Sequence, residues 1–401
     1  MNEAAEEYVK LVLAVGQHDA DYVDAYYGPE EWRTEVDARP FTKEAILEKA
    51  RAVRGRVESI PVPEDEMSRL RRQYLLTQLG ALIARVELLG DVRMSFDEES
   101  KALYDAVAPH NPDEHFQRIL DELEPLLPGS GALIERYKKF KEDFVIPRDK
   151  LDAVFQAAIK ACRERTSRFL ELPPGESFEV EYVNDKSWSA YNWYKGGYHS
   201  LIQVNTDLPI YIDRAIDLAC HEGYPGHHVY NALLEKHLVR DRDWVEFSVY
   251  PLFSPQSLIA EGTANYGIKV AFPGEEQVRF EREQLYPLAG LDPAKAAAYG
   301  RVQSLVKKLN YAGNEAARRY LDGEIDAGEA AARLSRYALM APDRAAQRVR
   351  FIDQYRSYVI NYNLGQDLVK QYIESRSDSP EQRWEEFARL LSSPRLPSGL
   401  Q

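Results

Sequence analysis

Apolar residues recur at spacings of three and four over long stretches of the chain. Between residues 65 and 90, Leu75, Leu76, Leu79, Leu82, Ile83, Val86, Leu88 and Leu89 follow that rhythm, and residues 4–17 repeat it, so both stretches predict helices. Further helices are expected at about 43–58, 97–107, 113–126, 130–142 and 148–171. Leu172-Pro173-Pro174-Gly175 then interrupts the pattern and marks the clearest internal boundary. Beyond it the period shortens. Phe178–Val183, Ser189–Tyr194 and Tyr198–Val204 read as strands, and Lys195-Gly196-Gly197 between two aromatic runs predicts a hairpin. From about residue 211 helices return, broken near 251–256, 273–275 and 379–381. The expectation is a mainly α fold with a small antiparallel β-sheet, an N-terminal helical part (residues 1–172) and a second part (residues 173–401) within one structural unit.

Composition narrows the functions this chain can serve. Fifty-one basic residues against 65 acidic ones leave a net charge of −14, and no basic cluster falls on a predicted helix, which argues against a nucleic-acid partner. No apolar run approaches the roughly 20 residues that span a bilayer, and Met1-Asn2-Glu3-Ala4-Ala5-Glu6-Glu7 is acidic where a secretory leader is basic and then apolar. A cytoplasmic location without membrane attachment is the resulting expectation. Cys162 and Cys220 offer no disulfide framework, and Cys220 reads as a small buried hydrophobe beside a histidine.

The chemistry concentrates at His221-Glu222-Gly223-Tyr224-Pro225-Gly226-His227-His228, which holds three of the eight histidines. It resembles an H-E-x-x-H zinc helix with two residues inserted before the second histidine. On a regular helix, residues six apart lie about 120° from a shared face and about 9 Å apart in rise, so a straight helix cannot aim His221 and His227 at one ion. Pro225 lacks an N–H and clashes with the carbonyl of His221, forcing a bulge or break, and Gly226 permits the unusual backbone that follows. His228 is the alternative ligand, offset by only about 20° but by about 10.5 Å in rise. His227 is favoured because Gly226-His227-His228-Val229-Tyr230 is similar to the G-H-x-x-Y that follows H-E in some zinc carboxypeptidases; His228 then becomes a supporting or substrate-facing catalytic group. Glu261, in Ser257-Leu258-Ile259-Ala260-Glu261-Gly262-Thr263-Ala264, is the candidate third ligand, with Gly262 and Ala264 small enough to let its helix approach the metal helix. A lone helical Glu is ordinarily a solvated residue, and only the constellation carries weight.

Those segments, with Ile202-Gln203-Val204-Asn205-Thr206-Asp207-Leu208-Pro209 before them and Asn361-Tyr362-Asn363-Leu364-Gly365-Gln366 near the C-terminus, resemble the bacterial "domain of unknown function 885" family over residues 5–397. The resemblance implies a gluzincin-like zinc peptidase: one helical body split by an active-site cleft, with the small sheet beside the metal helix. It implies one zinc ion on His221, His227 and Glu261, Glu222 as general base, and Tyr362 as the donor that stabilises the oxyanion, Tyr358 being its substitute one helical turn earlier. Thr263-Ala264 stands where the family often has an aromatic after the glycine, which bears on substrate preference.

The remaining expectations concern substrate. A strand beside a metal can pair with an extended peptide, and Tyr198 to Asn205 is the candidate, with His199 either facing substrate or structural. Arg350 and Arg348 are candidates for binding a substrate carboxylate. The expected function is a zinc-dependent metallopeptidase acting on short peptides. A zinc hydrolase of another amide or ester is the alternative, as is a metal-stabilised scaffold, although a structural zinc site has no use for the base Glu222.

Overall fold

The first hundred residues fold as the apolar rhythm dictates. In the computed structural model, which describes residues 1–186 and 188–400, Asn2–Gly16, Lys43–Ser59 and Glu66–Leu88 are helices. The last buries Leu75, Leu79, Leu82 and Val86, one face of a 3.6-residue repeat. Side chains satisfy the exposed amides that open these helices: Thr42 accepts from Ala45 N, and Asp65 from Ser68 N at 2.9 Å. Ser95 and Glu98 form a reciprocal capping box on Phe96–Tyr104.

One apolar core runs through both sides of the Pro173-Pro174 boundary, joining Tyr8, Leu79 and Cys162 to Ile216, Leu258, Tyr372 and Phe387. A smaller cluster around Phe116, Leu123 and Tyr337 ties the 113–140 region to helices beyond residue 296. The fold is mainly α, and no described helix is long and apolar enough to cross a membrane.

The sheet has the order β2 (Ser177–Val183), β4 (His199–Asn205), β3 (Ala190–Gly196). The hairpin β3–β4 is antiparallel, while β2 joins the other side of β4 in parallel. This arrangement overturns the choice of Tyr198–Asn205 for pairing with a peptide, because β4 is the middle strand and its backbone is already engaged on both sides. The outer strands are β2 and β3. A second, two-stranded sheet pairs β1 (Val23–Tyr26) with β5 (Val249–Pro251), and the Tyr191 hydroxyl of β3 donates to Asp24 of β1.

Cys162 and Cys220 are joined as a disulfide, contrary to the expectation from sequence. Fifty-eight residues separate them, so the pairing has no local signature; it arises because the helix Leu151–Ser167 packs on the segment just before His221. Both cysteines are wholly buried. Closing a loop of that length restricts the unfolded chain by about 4 kcal/mol in the chain-entropy view. The Cys162→Ala/Cys220→Ala variant is therefore expected to lose roughly 2–4 kcal/mol of unfolding free energy in a denaturant titration. Thiol titration of the unreduced, unfolded wild type should find no free thiol; two free thiols would remove the bond.

Candidate metal centre

The helix Ile212–Leu218 ends in a π-helical turn, Ala219–Gly223, and a new helix begins at His227. Tyr224 N donates back to Ala219 O and Gly226 N to Cys220 O at 2.9 Å, so the chain folds tightly across the break. A Cβ on Gly226 would lie 1.8 Å from His221 O, so only glycine fits there. The break places His221 at the end of one helix and His227 at the start of the next, with their Nε2 atoms 3.1 Å apart. The angular mismatch of a six-residue spacing is removed by ending the helix.

Glu261 comes from the helix Pro255–Ala271, most of whose length is buried. Its Oε2 lies 3.4 Å from His221 Nε2 and its Oε1 3.8 Å from His227 Nε2. The ligand-type atoms of these three residues all lie within 4.8 Å of one another. Oε1 accepts from the Tyr358 hydroxyl at 3.0 Å, whereas Oε2 is buried with no hydrogen-bond partner. Burial works against a charged Glu261, but the contact with His221 and the nearby His227 outweigh it and hold its pKa below the usual value. Burial, reinforced by His221, pushes His227 down to about 4 and keeps its imidazole neutral.

Gly262 does not face the metal helix as expected from its size. A Cβ there would sit 2.4 Å from Gly365 O, so Gly262 and Gly365 form the crossing between the Glu261 helix and the helix Ile360–Glu374. On the Glu261 helix it is Gly267 that packs against the metal-helix break, at Pro225. The glycine crossing carries Tyr362 into the site: Asn265 donates to both Glu261 O and Tyr362 O, at 2.9 and 3.2 Å.

Glu222 is buried, and its Oε1 lies 4.0 Å from His221 Nε2. Burial raises its pKa to about 7, against the pull of His221. Its carbonyl accepts from Asn192 Nδ2 of β3 at 2.7 Å, tying the strand to the break. His221, Glu222, His227, Glu261, Tyr358 and Tyr362 all line a cavity of about 750 Å³, and residues 188–193 of β3 and its approach form another wall.

The two tyrosines have separate places. Tyr358 spends its hydroxyl on Glu261, while Tyr362 is half-buried on the cavity wall. Five other expectations fare differently. His228 is 1% exposed and does not line the cavity; Nδ1 meets Ser200 Oγ and Nε2 meets Glu176 Oε2, both at 2.9 Å. Its ring lies edge-on to Phe178 and Tyr224, and both nitrogens are used, so it faces away from any substrate. Tyr198 packs under Arg240 near Glu235, away from the cavity. Asn205 donates to Lys186 O and Trp188 O at the far end of β4. Arg350 is exposed and off the cavity, while Arg348, two residues earlier, lines it. His199 is exposed and bonded to Ser177.

Sequence reasoning missed Asn192, Asp24 and Tyr191. Asn192 sits at a buried position of β3, and polarity at an inward strand position was the available signal. Asp24 lies 167 residues from its partner Tyr191, and no local signal pairs them.

Comparison with known proteins gives no matching family model and no matching curated protein. Among the solved structures that match are three. Two are described as putative lipoproteins. One is from Colwellia psychrerythraea, with 17% identity, a TM-score of 0.56, and coverage of 92% of this chain and 71% of that one. The other, of unknown function, is from Shewanella oneidensis, with 12% identity, a TM-score of 0.48, and coverage of 92% and 75%. The third is the crystal structure of BsuCP, with 10% identity, a TM-score of 0.50, and coverage of 98% of this chain and 88% of that one. At these identities the likeness concerns the fold alone.

Proposed function

We propose that this chain is a zinc-dependent peptidase of the "domain of unknown function 885" type that hydrolyses short peptides. The observation that carries the reading is the donor triangle with its unpartnered oxygen. Atoms about 2.0–2.1 Å from a tetrahedral zinc lie about 3.3 Å from each other; here the two imidazole Nε2 atoms are 3.1 Å apart, His221 is 3.4 Å from Glu261 Oε2, His227 is 3.8 Å from the other carboxylate oxygen, and one donor atom from each residue lies within 4.8 Å of the other two. A buried carboxylate oxygen without a partner is costly unless something binds it. Two imidazole donors and one carboxylate suit zinc.

When bound, zinc supplies a Lewis acid that polarises a carbonyl and acidifies water. The rest falls to the chain's own residues. Glu222 takes a proton from the attacking water and delivers it to the amide nitrogen as the C–N bond breaks, leaving a carboxylic acid and an amine. The Tyr362 hydroxyl donates to the carbonyl oxygen as it gains charge. Tyr358 fixes the orientation of Glu261. The outer strand β3 supplies main-chain hydrogen bonds for an extended peptide, the role first expected of Tyr198–Asn205.

A cavity walled by an outer strand favours a peptide over another amide or ester, and a structural zinc site would not keep a buried base beside it. The disulfide favours an oxidising compartment in place of the cytoplasm expected from the N-terminal composition. Digestion of a peptide library, read by mass spectrometry, tests the proposal. Zinc-loaded protein is expected to cleave, chelation to stop cleavage and added zinc to restore it. Failure of the zinc-loaded protein to cleave any peptide would remove the peptidase reading.

A further inference from the structure

Three arginines line the cavity, and two of them already have polar partners. Arg214 pairs with Asp217. Arg344 is exposed and donates to Gln347 Oε1 at 2.9 Å. Arg348 has no carboxylate partner among the described residues. Its guanidinium lies 4.5 Å from the Phe351 ring centre and 5.7 Å from that of Tyr362, and its Nε is buried without a hydrogen-bond partner. A guanidinium presents its donors as a planar fork, and two aromatic faces hold this one with those donors unspent.

A half-buried cation held this way calls for an anion that enters and leaves, and the cavity limits which. Asp21, Asp24 and Glu222 are also on its walls, so a dianion such as a phosphate monoester meets more repulsion than a single carboxylate. A carboxylate also matches the fork in a bidentate pair. Position adds to the argument. Tyr362 touches Arg348 through its ring, lines the cavity with Glu222 and Glu261, and has its hydroxyl within reach of both their charges. Successive residues of a peptide are only about 3.8 Å apart between Cα atoms. A carbonyl at the Glu261 side of Tyr362 therefore leaves the next residue's end group on the Arg348 side.

We propose that Arg348 binds the free α-carboxylate at the C-terminus of a peptide, so that the cavity accepts chain ends and the last residue is the one released. The proposal rests on the peptidase reading above.

The test uses two peptides of one sequence, ending in a carboxylate or in an amide. Binding is measured by calorimetry on the Glu222→Gln protein, and cleavage by mass spectrometry on the wild type. The acid is expected to bind roughly tenfold or more tightly than the amide, as for a charge-assisted hydrogen bond. Arg348→Met should bring the acid down to the affinity of the amide, and Arg348→Lys should keep part of the preference. The wild type should release the terminal residue from the acid alone. Equal affinity for the two peptides, or a preference that survives in Arg348→Met, overturns the proposal, and the acid-amide comparison on unsubstituted Arg348 stands even where a variant fails to fold. Equal cleavage of both peptides overturns it and keeps the peptidase reading. Binding of an N-acetyl amino acid that depends on Arg348, with neither peptide cleaved, supports the carboxylate site and removes the peptidase reading. No binding of any of these carboxylates overturns the proposal and leaves the peptidase reading to the library digest.

Discussion

Glu222→Gln is expected to lower turnover of a cleaved peptide by about 10²–10⁴-fold, a barrier increase of about 3–5 kcal/mol. The substitution removes the basic oxygen and leaves side-chain volume nearly unchanged. The Asn192 contact reaches the backbone carbonyl of residue 222, so the tie between β3 and the break survives. Glu222 Oε1 is 4.0 Å from His221 Nε2, beyond a hydrogen bond, so the donor triangle loses no support. Zinc content and thermal midpoint should accordingly match the wild type. The measurement is turnover of one peptide by both proteins at equal zinc occupancy. Equal rates would take Glu222 out of the reaction and, with it, the distinction between this site and a structural zinc.

The helical body and the location of the site were legible because both depend on local pattern. Leu75, Leu79, Leu82 and Val86 lie along one face whatever they pack against, and Pro225 interrupts a helix whatever surrounds it. The break at Tyr224–Gly226 follows from Pro225, which cannot continue the helix, and Gly226, which has no Cβ to meet His221 O. What could not be read depends on elements distant in sequence. The three strands were recognisable, but not that β2 lies parallel to β4, which makes β4 the centre and puts β2 and β3 on the outside. His228 looked available because its sequence neighbours are site residues. Glu176, 52 residues earlier, and Ser200 claim its two nitrogens. Arg348 and Arg350 were equivalent candidates in the sequence. Two residues apart on a helix means about 200° of rotation, and so one faces the cavity while the other faces solvent.

Alanine at His221, His227 or Glu261 is expected to abolish stoichiometric zinc, from about one ion per chain, as measured by elemental analysis after dialysis against trace zinc. Each residue supplies one of three donor atoms that lie within 4.8 Å of one another, and two remaining donors do not make a closed protein site. Tyr358→Phe is the graded member of the series. It keeps every ligand and frees Glu261 Oε1, so affinity should weaken by about 10–100-fold, as for loss of an outer hydrogen-bond partner. His228→Ala should behave in the opposite way. It leaves Glu176 and Ser200 buried with unspent hydrogen-bonding capacity, at about 1–3 kcal/mol for each orphaned group, while leaving the zinc donors in place. The two adjacent histidines thus separate two measurements: His227→Ala loses metal, and His228→Ala loses thermal stability but holds about one zinc per chain when the metal is saturating. Retention of zinc by His227→Ala together with its loss from His228→Ala would transfer the ligand to His228 and require the break at Pro225 to serve some purpose other than joining two imidazoles around one ion.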